Sequence, residues 1–268
     1  MRKSFCITTA AAAALAFGIS SASAQTVLFE EDFDDVADIA ELLDKPGWTD
    51  AVGSPNNLVI SSDQAFSEDN SLLQPSGEAT SWIVANLGQG YVALDEGDLD
   101  GPILTSAWQY IEDATAAGDS TLTIAGWAND AWGDGGLQNF LVFGLYSFSP
   151  LSDHEDYAVR VVFGGENEGS PNQGWWPPAD AANPEAGERI EGEWVHLAIW
   201  AQETEAQFFV NGEMYVTDTY DFAAWDSIRI GRNADGAPHA TDVYWDDVQV
   251  VQGASAPEPV TVPEWHLY

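Results

Sequence analysis

The chain has 268 residues, of which 44 are Asp or Glu and only 7 are Lys or Arg, and its formal net charge is −37. This balance excludes a nucleic-acid binder, because phosphate contacts require a basic face, and it argues against docking on an anionic membrane surface. Hydrophobic residues nevertheless make up 45% of the chain. That share is too high for a disordered acidic chain, so we expect one folded domain with a sizeable core.

The N-terminal segment has the pattern of a secretory signal. Arg2 and Lys3 precede an apolar run over residues 7–19, and Ala22-Ser23-Ala24 offers the small side chains that a signal peptidase recognises. The run is too short to span a bilayer core of roughly 30 Å, so no membrane insertion is expected. We predict a signal peptide at residues 1–24 and a secreted protein, extracellular or periplasmic. The single cysteine, Cys6, leaves with the signal.

One helix is expected near the start of the mature chain. Over residues 35–43, apolar side chains recur at helical spacing, and Pro46-Gly47 ends the pattern. Strand-like runs separated by Gly, Pro, Asn and Asp dominate the remainder. The predicted strands are Val27–Phe33, Leu58–Ser61, Ser81–Leu87, Ser120–Ala128, Asn139–Ser147, Tyr157–Phe163, Val195–Ala201, Gln207–Val210, Met214–Thr217, Ser227–Ile230 and Val243–Val251.

The order of these elements defines the fold class. Residues 101–117 are ambiguous between helix and strand, and no alternation of strands with helices is present. Many strands without crossover helices predict an all-β sandwich of two antiparallel sheets with one short N-terminal helix. We assign this sandwich to residues 25–253 and a Pro-rich tail to residues 254–268.

Residues 192–216 (GEWVHLAIWAQETEAQFFVNGEMYV) are the most informative segment. Asn211-Gly212 lies between two apolar runs and predicts a hairpin turn. The segment resembles the laminin G-like and concanavalin A-like lectin and glucanase families, as do LFEEDF (28–33), AFSEDNSLL (65–73) and VYWDDVQV (243–250). The resemblance implies a jelly-roll sandwich, and it leaves the activity open because this fold serves many functions.

The closing strand holds a candidate metal ligand. Strict alternation places Asp246 on one face with Tyr244, Val248 and Val250. An acid on an apolar face needs a partner, and few cationic side chains are available. Calcium is a natural partner because it binds carboxylate and carbonyl oxygens. The alternative is an aspartate that accepts backbone N–H bonds.

The family resemblance extends this metal site. In the families named above, a calcium ion commonly connects the first strand to the last, which implies Glu31 or Asp32 and the loop around Asp69 as further ligands of a structural Ca²⁺. A second acidic loop at residues 95–101 starts like an EF-hand, but Ala107 stands where the bidentate Glu belongs. We interpret that loop as a solvated acidic turn, and the alternative is an irregular calcium loop.

Tryptophans outside the strand patterns are candidates for sugar binding. Trp175-Trp176 is followed by Pro177-Pro178, which predicts a stiff loop with an aromatic pair suited to stacking on a sugar ring. The alternative is a lid folded over the sandwich edge. The predicted carbohydrate-binding residues are Trp175, Trp176, Trp132, Asn172 and Gln173.

Catalysis has little support in the sequence. The E-x-D-x-E strand motif of the resembling glucanases is absent, and a lyase-like trio of His154, Tyr157 and Arg160 is opposed by strand alternation, which separates the last two. The net negative charge predicts repulsion of a polyuronate and favours neutral glycans. We therefore expect a secreted, non-catalytic, calcium-stabilised carbohydrate-binding or adhesive module. The alternatives are a polysaccharide hydrolase or lyase and a structural spacer without ligand.

Overall fold

A computed structural model describes residues 25–46, 48–50, 58–76, 81–86, 102–112, 119–127, 137–146, 158–163, 174–176, 192–202, 205–219, 227–232 and 241–258. Over these ranges the chain forms one short helix, α1 (Ile39–Asp44), and fifteen strands. The strands are β1 (Thr26–Glu31), β2 (Trp48–Asp50), β3 (Val59–Ser61), β4 (Ser71–Gln74), β5 (Ser81–Asn86), β6 (Ile103–Ile111), β7 (Asp119–Trp127), β8 (Leu137–Tyr146), β9 (Ala158–Phe163), β10 (Gly174–Trp176), β11 (Trp194–Ala201), β12 (Glu205–Val210), β13 (Glu213–Thr219), β14 (Ser227–Arg232) and β15 (Val243–Gln252).

The strands form two antiparallel sheets. The eight-stranded sheet has the order β13-β12-β11-β6-β15-β4-β3, and β1 also pairs with β15. The seven-stranded sheet has the order β10-β9-β8-β7-β14-β5-β2. The predicted all-β class with two antiparallel sheets and one short N-terminal helix is therefore confirmed.

The hydrophobic core lies between the sheets. Leu197 and Ile199 of β11 and Val250 of β15 belong to the same buried cluster as Ile228 and Ile230 of β14, which is in the other sheet. Successive residues of a strand lie on opposite faces of the sheet, so each of these strands gives one face to the core and leaves an outer face for function.

The helix begins later than the sequence pattern indicated. Asp38 accepts hydrogen bonds from the backbone N–H groups of Ala40 (2.9 Å) and Glu41 (3.0 Å), so it caps α1 and fixes the start at Ile39. Leu42 is fully buried and anchors the helix to the core. The pattern over residues 35–43 located the element and missed its cap.

The first and last strands of the sandwich are adjacent. β1 runs antiparallel to β15, with Thr26 opposite Gln252 and Glu31 opposite Val248. The acidic opening strand and the closing strand are thus neighbours, as the resemblance implied. The Asn211-Gly212 turn joins β12 to β13, and both residues have positive φ (51° and 77°), as the hairpin prediction requires.

Candidate functional site

The closing strand β15 contains a bulge that strict alternation did not anticipate. Pairing with β6 shifts between Asp246 and Gln249, and Asp247 adopts a left-handed conformation with φ of 45°. Trp245 and Val248 both face the core as a result. Asp246 therefore lies on the outer side with Tyr244, and the predicted grouping of Asp246 with Val248 and Val250 is wrong.

Asp246 is fully buried and bound to backbone N–H groups. Its Oδ2 atom accepts from Phe66 (2.8 Å) and Ser67 (3.1 Å), and its Oδ1 atom accepts from Asp247 (2.8 Å). Burial raises the pKa of Asp246 to about 7, against the effect of these three bonds. The carboxyl group holds the 65–70 loop onto the sheet, which is the alternative that the sequence left open for this residue.

Glu31 lies in a second acidic group with Asp32 and Asp35, whose ligand atoms all lie within 4.8 Å of one another. Lys45 is already inside this group, because its Nζ donates to Glu31 Oε1 (2.7 Å) and to Asp35. Glu31 also accepts from the indole N–H of Trp48 at 3.1 Å. The buried Glu31 carboxylate is therefore neutralised by an ammonium group.

A third set of carboxylates surrounds the β15 bulge. Asp34 Oδ1 accepts from the backbone N–H groups of Asp69 (3.0 Å) and Asn70 (2.8 Å), whereas its Oδ2 is buried without a hydrogen-bond partner. Burial raises the pKa of Asp247, and the neighbouring charges of Asp32, Asp34 and Glu30 raise it further. The sequence pattern did not single out Asp34 or Asp247.

Backbone strain concentrates at the same junction. Phe33 (φ 63°) lies just after β1, Glu68 (φ 48°) lies in the 65–70 loop, and Asp247 (φ 45°) forms the bulge. A bulky residue such as Phe rarely adopts this conformation. Strained backbone persists where surrounding contacts fix it.

Of the predicted metal ligands, Asp69 contributes a backbone N–H to Asp34, and its side chain is exposed.

An aromatic cluster covers the outer face of the eight-stranded sheet beside Asp246. Phe66 stacks on Trp108 with ring centroids 3.8 Å apart and meets the edge of Trp194 at 5.9 Å. His196 lies 5.0 Å from Trp108, and its Nδ1 is buried without a partner. Burial lowers the pKa of His196 to about 4, so it is neutral at pH 7. These rings pack on one another, which gives them a structural role.

The predicted aromatic pair lies on an edge strand of the seven-stranded sheet and not in a loop. Trp175 is opposite Arg160 and Trp176 is opposite Val159 in the β10–β9 pairing. Consecutive strand residues belong to opposite faces of a sheet, so the two tryptophans do not occupy one face. The other predicted sugar-binding residues, Trp132, Asn172 and Gln173, lie outside the described residues, as do the 95–101 loop, His154 and Tyr157.

Pairing register identifies which face carries Trp175. Ile230 of β14 faces the core, so the next residue, Gly231, belongs to the outer face. Residues opposite one another in a ladder share a face. Following the partners of Gly231 across the sheet gives one row on the outer face: Trp82, Gly231, Thr121, Gly144, Arg160 and Trp175. We call this the tryptophan row.

The tryptophan row crosses six neighbouring strands, from β5 to β10. At roughly 4.8 Å per strand its ends are about 24 Å apart. Two of its central positions are glycines, Gly231 and Gly144, and Gly231 is buried. The row therefore combines aromatic residues at its ends with small residues at its centre.

No helix in the part of the chain that the structure describes is long and apolar enough to cross a membrane.

Comparison with known proteins gives structural neighbours only. No family model matches the chain, and no curated protein matches it in sequence. The cellulose-induced protein Cip1 superposes with a TM-score of 0.52 at 11% identity, covering 87% of this chain and 100% of that one. A GH131 β-glucanase catalytic domain from Podospora anserina superposes with a TM-score of 0.51 at 11% identity, covering 88% and 100%. The chain shares its fold with these two proteins.

Proposed function

We propose that the protein is a secreted, non-catalytic carbohydrate-binding or adhesive module that uses the outer face of its seven-stranded sheet. The tryptophan row is the observation that carries this proposal, because a sugar-binding face combines aromatic residues with a few polar groups. The two fold neighbours, one named for cellulose induction and one a β-glucanase domain, support a carbohydrate-related role. Export through the 1–24 signal is part of the proposal and predicts a mature N terminus at Gln25.

The distribution of acids favours binding over hydrolysis. A glycosidase needs two carboxyl groups that face each other across the scissile bond. Within the described pairings, the outer face of the seven-stranded sheet carries one acid, Asp119, which is opposite Tyr146 outside the tryptophan row. This count supports the non-catalytic module against the hydrolase alternative, and release of reducing ends from the polysaccharides that bind would overturn it.

Substitution of the adjacent tryptophans tests the binding face. Trp175→Ala removes an aromatic residue from the outer face, so retention on a panel of immobilised polysaccharides should fall about tenfold while the melting temperature stays close to that of the parent. Trp176→Ala changes the opposite face and should alter the melting temperature more than retention. Equal losses of retention with unchanged melting would instead favour the loop platform that the sequence suggested.

We also propose that calcium stabilises the junction of β1, the 65–70 loop and β15. Asp34 and Asp247 fit this role, because Asp34 has a buried oxygen without a partner and the Asp247 carboxyl experiences the charges of Asp32 and Asp34. A bound cation would relieve this repulsion and supply the missing partner. The Glu31 group is less suited because Lys45 is already bound there.

Thermal unfolding with calcium and with chelator tests the metal. A ligand at 100 times its dissociation constant adds about 2.7 kcal/mol, which should raise the melting temperature by several degrees. Asp34→Asn keeps an acceptor for the two backbone N–H groups and should abolish the calcium effect. Asp35→Asn removes the same charge from the exposed Lys45 partner and should leave it intact. Coincident melting curves for the parent would remove the calcium proposal.

A further inference from the structure

The few cationic residues of this acidic chain are distributed unevenly. Four of them lie in the described ranges: Lys45, Arg160, Arg229 and Arg232. Lys45 is engaged by Glu31 and Asp35. Arg232 follows Ile230 by two residues and so shares the face of the core residues Ile228 and Ile230 on β14. The remaining two, Arg160 and Arg229, both belong to the outer face of the seven-stranded sheet.

The two outer faces of the sandwich therefore differ in charge. By register and alternation, the outer face of the eight-stranded sheet carries four acids within the described residues, Glu30, Glu205, Asp246 and Asp247, and no cation. Among the residues that the structure describes, the outer face of the seven-stranded sheet carries two arginines and one acid, Asp119. In a chain whose acids outnumber its bases 44 to 7, the described part of this face reverses the general balance.

The arginines lie within the proposed binding face. Arg160 is a member of the tryptophan row and is directly opposite Trp175. Arg229 lies in the neighbouring row, opposite Val84 and Thr123. Three strand spacings, about 14 Å, separate β9 from β14 in the sheet order, and the step of one row along the strand adds an offset of about 7 Å, so the two backbone positions are roughly 16 Å apart. This separation matches carboxylates on different rings of one chain molecule rather than a single acidic group.

From this juxtaposition we infer that the tryptophan row binds a polymer of uronic acids, with Arg160 and Arg229 recognising ring carboxylates. This inference rests on the proposed carbohydrate-binding function and names its ligand. Arginine pairs with carboxylate in two parallel hydrogen bonds, which gives geometric selectivity as well as attraction. A highly sulfated polymer would bring more charge than two arginines can neutralise on an acidic protein, so a carboxylate polymer fits better.

Screening limits how far the net charge of the chain opposes this ligand at ordinary ionic strength. At about 0.1 M salt, electrostatic interactions between exposed charges decay over about 10 Å. A ligand on the outer face of the seven-stranded sheet therefore responds to Arg160 and Arg229 more than to the acids of the opposite sheet. The expectation of a neutral glycan followed from the total charge, and the local charge points to an acidic one.

The ligand side of the test compares one oligosaccharide in two chemical forms. The purified protein is titrated calorimetrically with an oligogalacturonate too short to form a gel, and with the same oligosaccharide after reduction of its carboxyl groups to alcohols. We expect the acidic form to bind about tenfold more tightly, and this preference to shrink as salt is raised. Equal binding of the two forms overturns the uronate inference and leaves the carbohydrate-binding function standing.

The protein side uses two arginines on the same strand. Arg229→Gln should reduce the affinity for the acidic form about tenfold and leave the affinity for the reduced form unchanged. Arg232→Gln removes the same charge from the other side of β14 and should change neither affinity by more than about twofold. Equal losses for both arginine variants would show that total charge alone controls binding, and would overturn the inference.

Two further outcomes separate the inference from the proposed function. Tighter binding of a sulfated oligosaccharide than of the oligogalacturonate would overturn the assignment to carboxylates. If neither oligosaccharide form binds but a neutral polysaccharide on the panel retains the protein, the inference fails alone. Absence of retention on every polysaccharide overturns the carbohydrate-binding function as well.

Discussion

Two buried ionisable residues on the outer face of the eight-stranded sheet have pKa shifts of opposite sign. Asp246, Trp108 and His196 are opposite one another across β15, β6 and β11. Burial lowers the pKa of His196 to about 4 and raises that of Asp246 to about 7. The environment under the stacked Phe66 ring therefore favours the uncharged form of both groups.

His196 makes a defined contribution to the pH dependence of stability. Its folded pKa lies below the unfolded value, so the unfolded state binds more protons between pH 6.5 and pH 4. The contribution of His196 to stability should be fully present above pH 6.5 and fall by up to about 3 kcal/mol as the pH drops to about 4, whereas the raised pKa of Asp246 contributes in the opposite direction over the same range. His196→Leu removes the His196 contribution, so the free energy of unfolding of the variant relative to the parent should rise as the pH falls from 6.5 to 4, measured by urea unfolding across that range. A difference between variant and parent that does not change with pH would contradict the assignment.

At the scale of secondary-structure elements, the alternation of apolar and polar residues located the strands well but assigned some residues to the wrong face of the sheet. The eleven predicted strands correspond to β1, β3, β5, β7, β8, β9 and β11 to β15. β2 and β10 have three residues each, too few to show a period, and all four residues of β4 are buried. The ambiguous 101–117 segment contains β6, whose residues pair with β11 and β15 on both sides.

The β15 bulge is where local pattern and structure diverge most for function. Val243 and Trp245 before it, and Val248 and Val250 after it, all belong to the core cluster. One extra residue therefore shifts the alternation by one position. In the sequence around β15, the Asp246-Asp247 pair is the one feature that indicates a bulge, because Asp tolerates the left-handed conformation better than most residues do.

Substitution of Asp247 tests the bulge conformation. In the presence of chelator, Asp247→Asn should be at least as stable as the parent, because Asn tolerates positive φ and loses the repulsion from neighbouring acids. Asp247→Val should lose about 1–3 kcal/mol relative to Asp247→Asn, since a branched side chain is strained at this φ. Urea denaturation measures the difference, and equal stability of the two variants would argue against the left-handed bulge.

At the scale of the whole molecule, the binding face is assembled from distant parts of the sequence. Trp175 was identified from its own neighbourhood, but Trp82 and Arg229 become part of the same surface only through the order of β5, β14, β7, β8, β9 and β10 in one sheet. Net charge is a property of the entire chain and gave no information about the placement of arginines. Strand order and register were required to locate both the row and its charge.

The excess of acids also predicts how salt affects the fold. With a net charge of −37, mutual repulsion destabilises the compact state, and salt that shortens the screening length should relieve it. In chelator at pH 7, the melting temperature should therefore rise as sodium chloride is increased from about 0.05 M to about 1 M.

The isoelectric point supplies the control for this effect. Near pH 4.1 the net charge of the chain approaches zero, so little repulsion remains to be screened. The gain in melting temperature between low and high sodium chloride should therefore be much smaller there than at pH 7. An equal gain at both pH values would mean that salt acts by strengthening apolar burial, and the acidic surface would then have no measurable cost for folding.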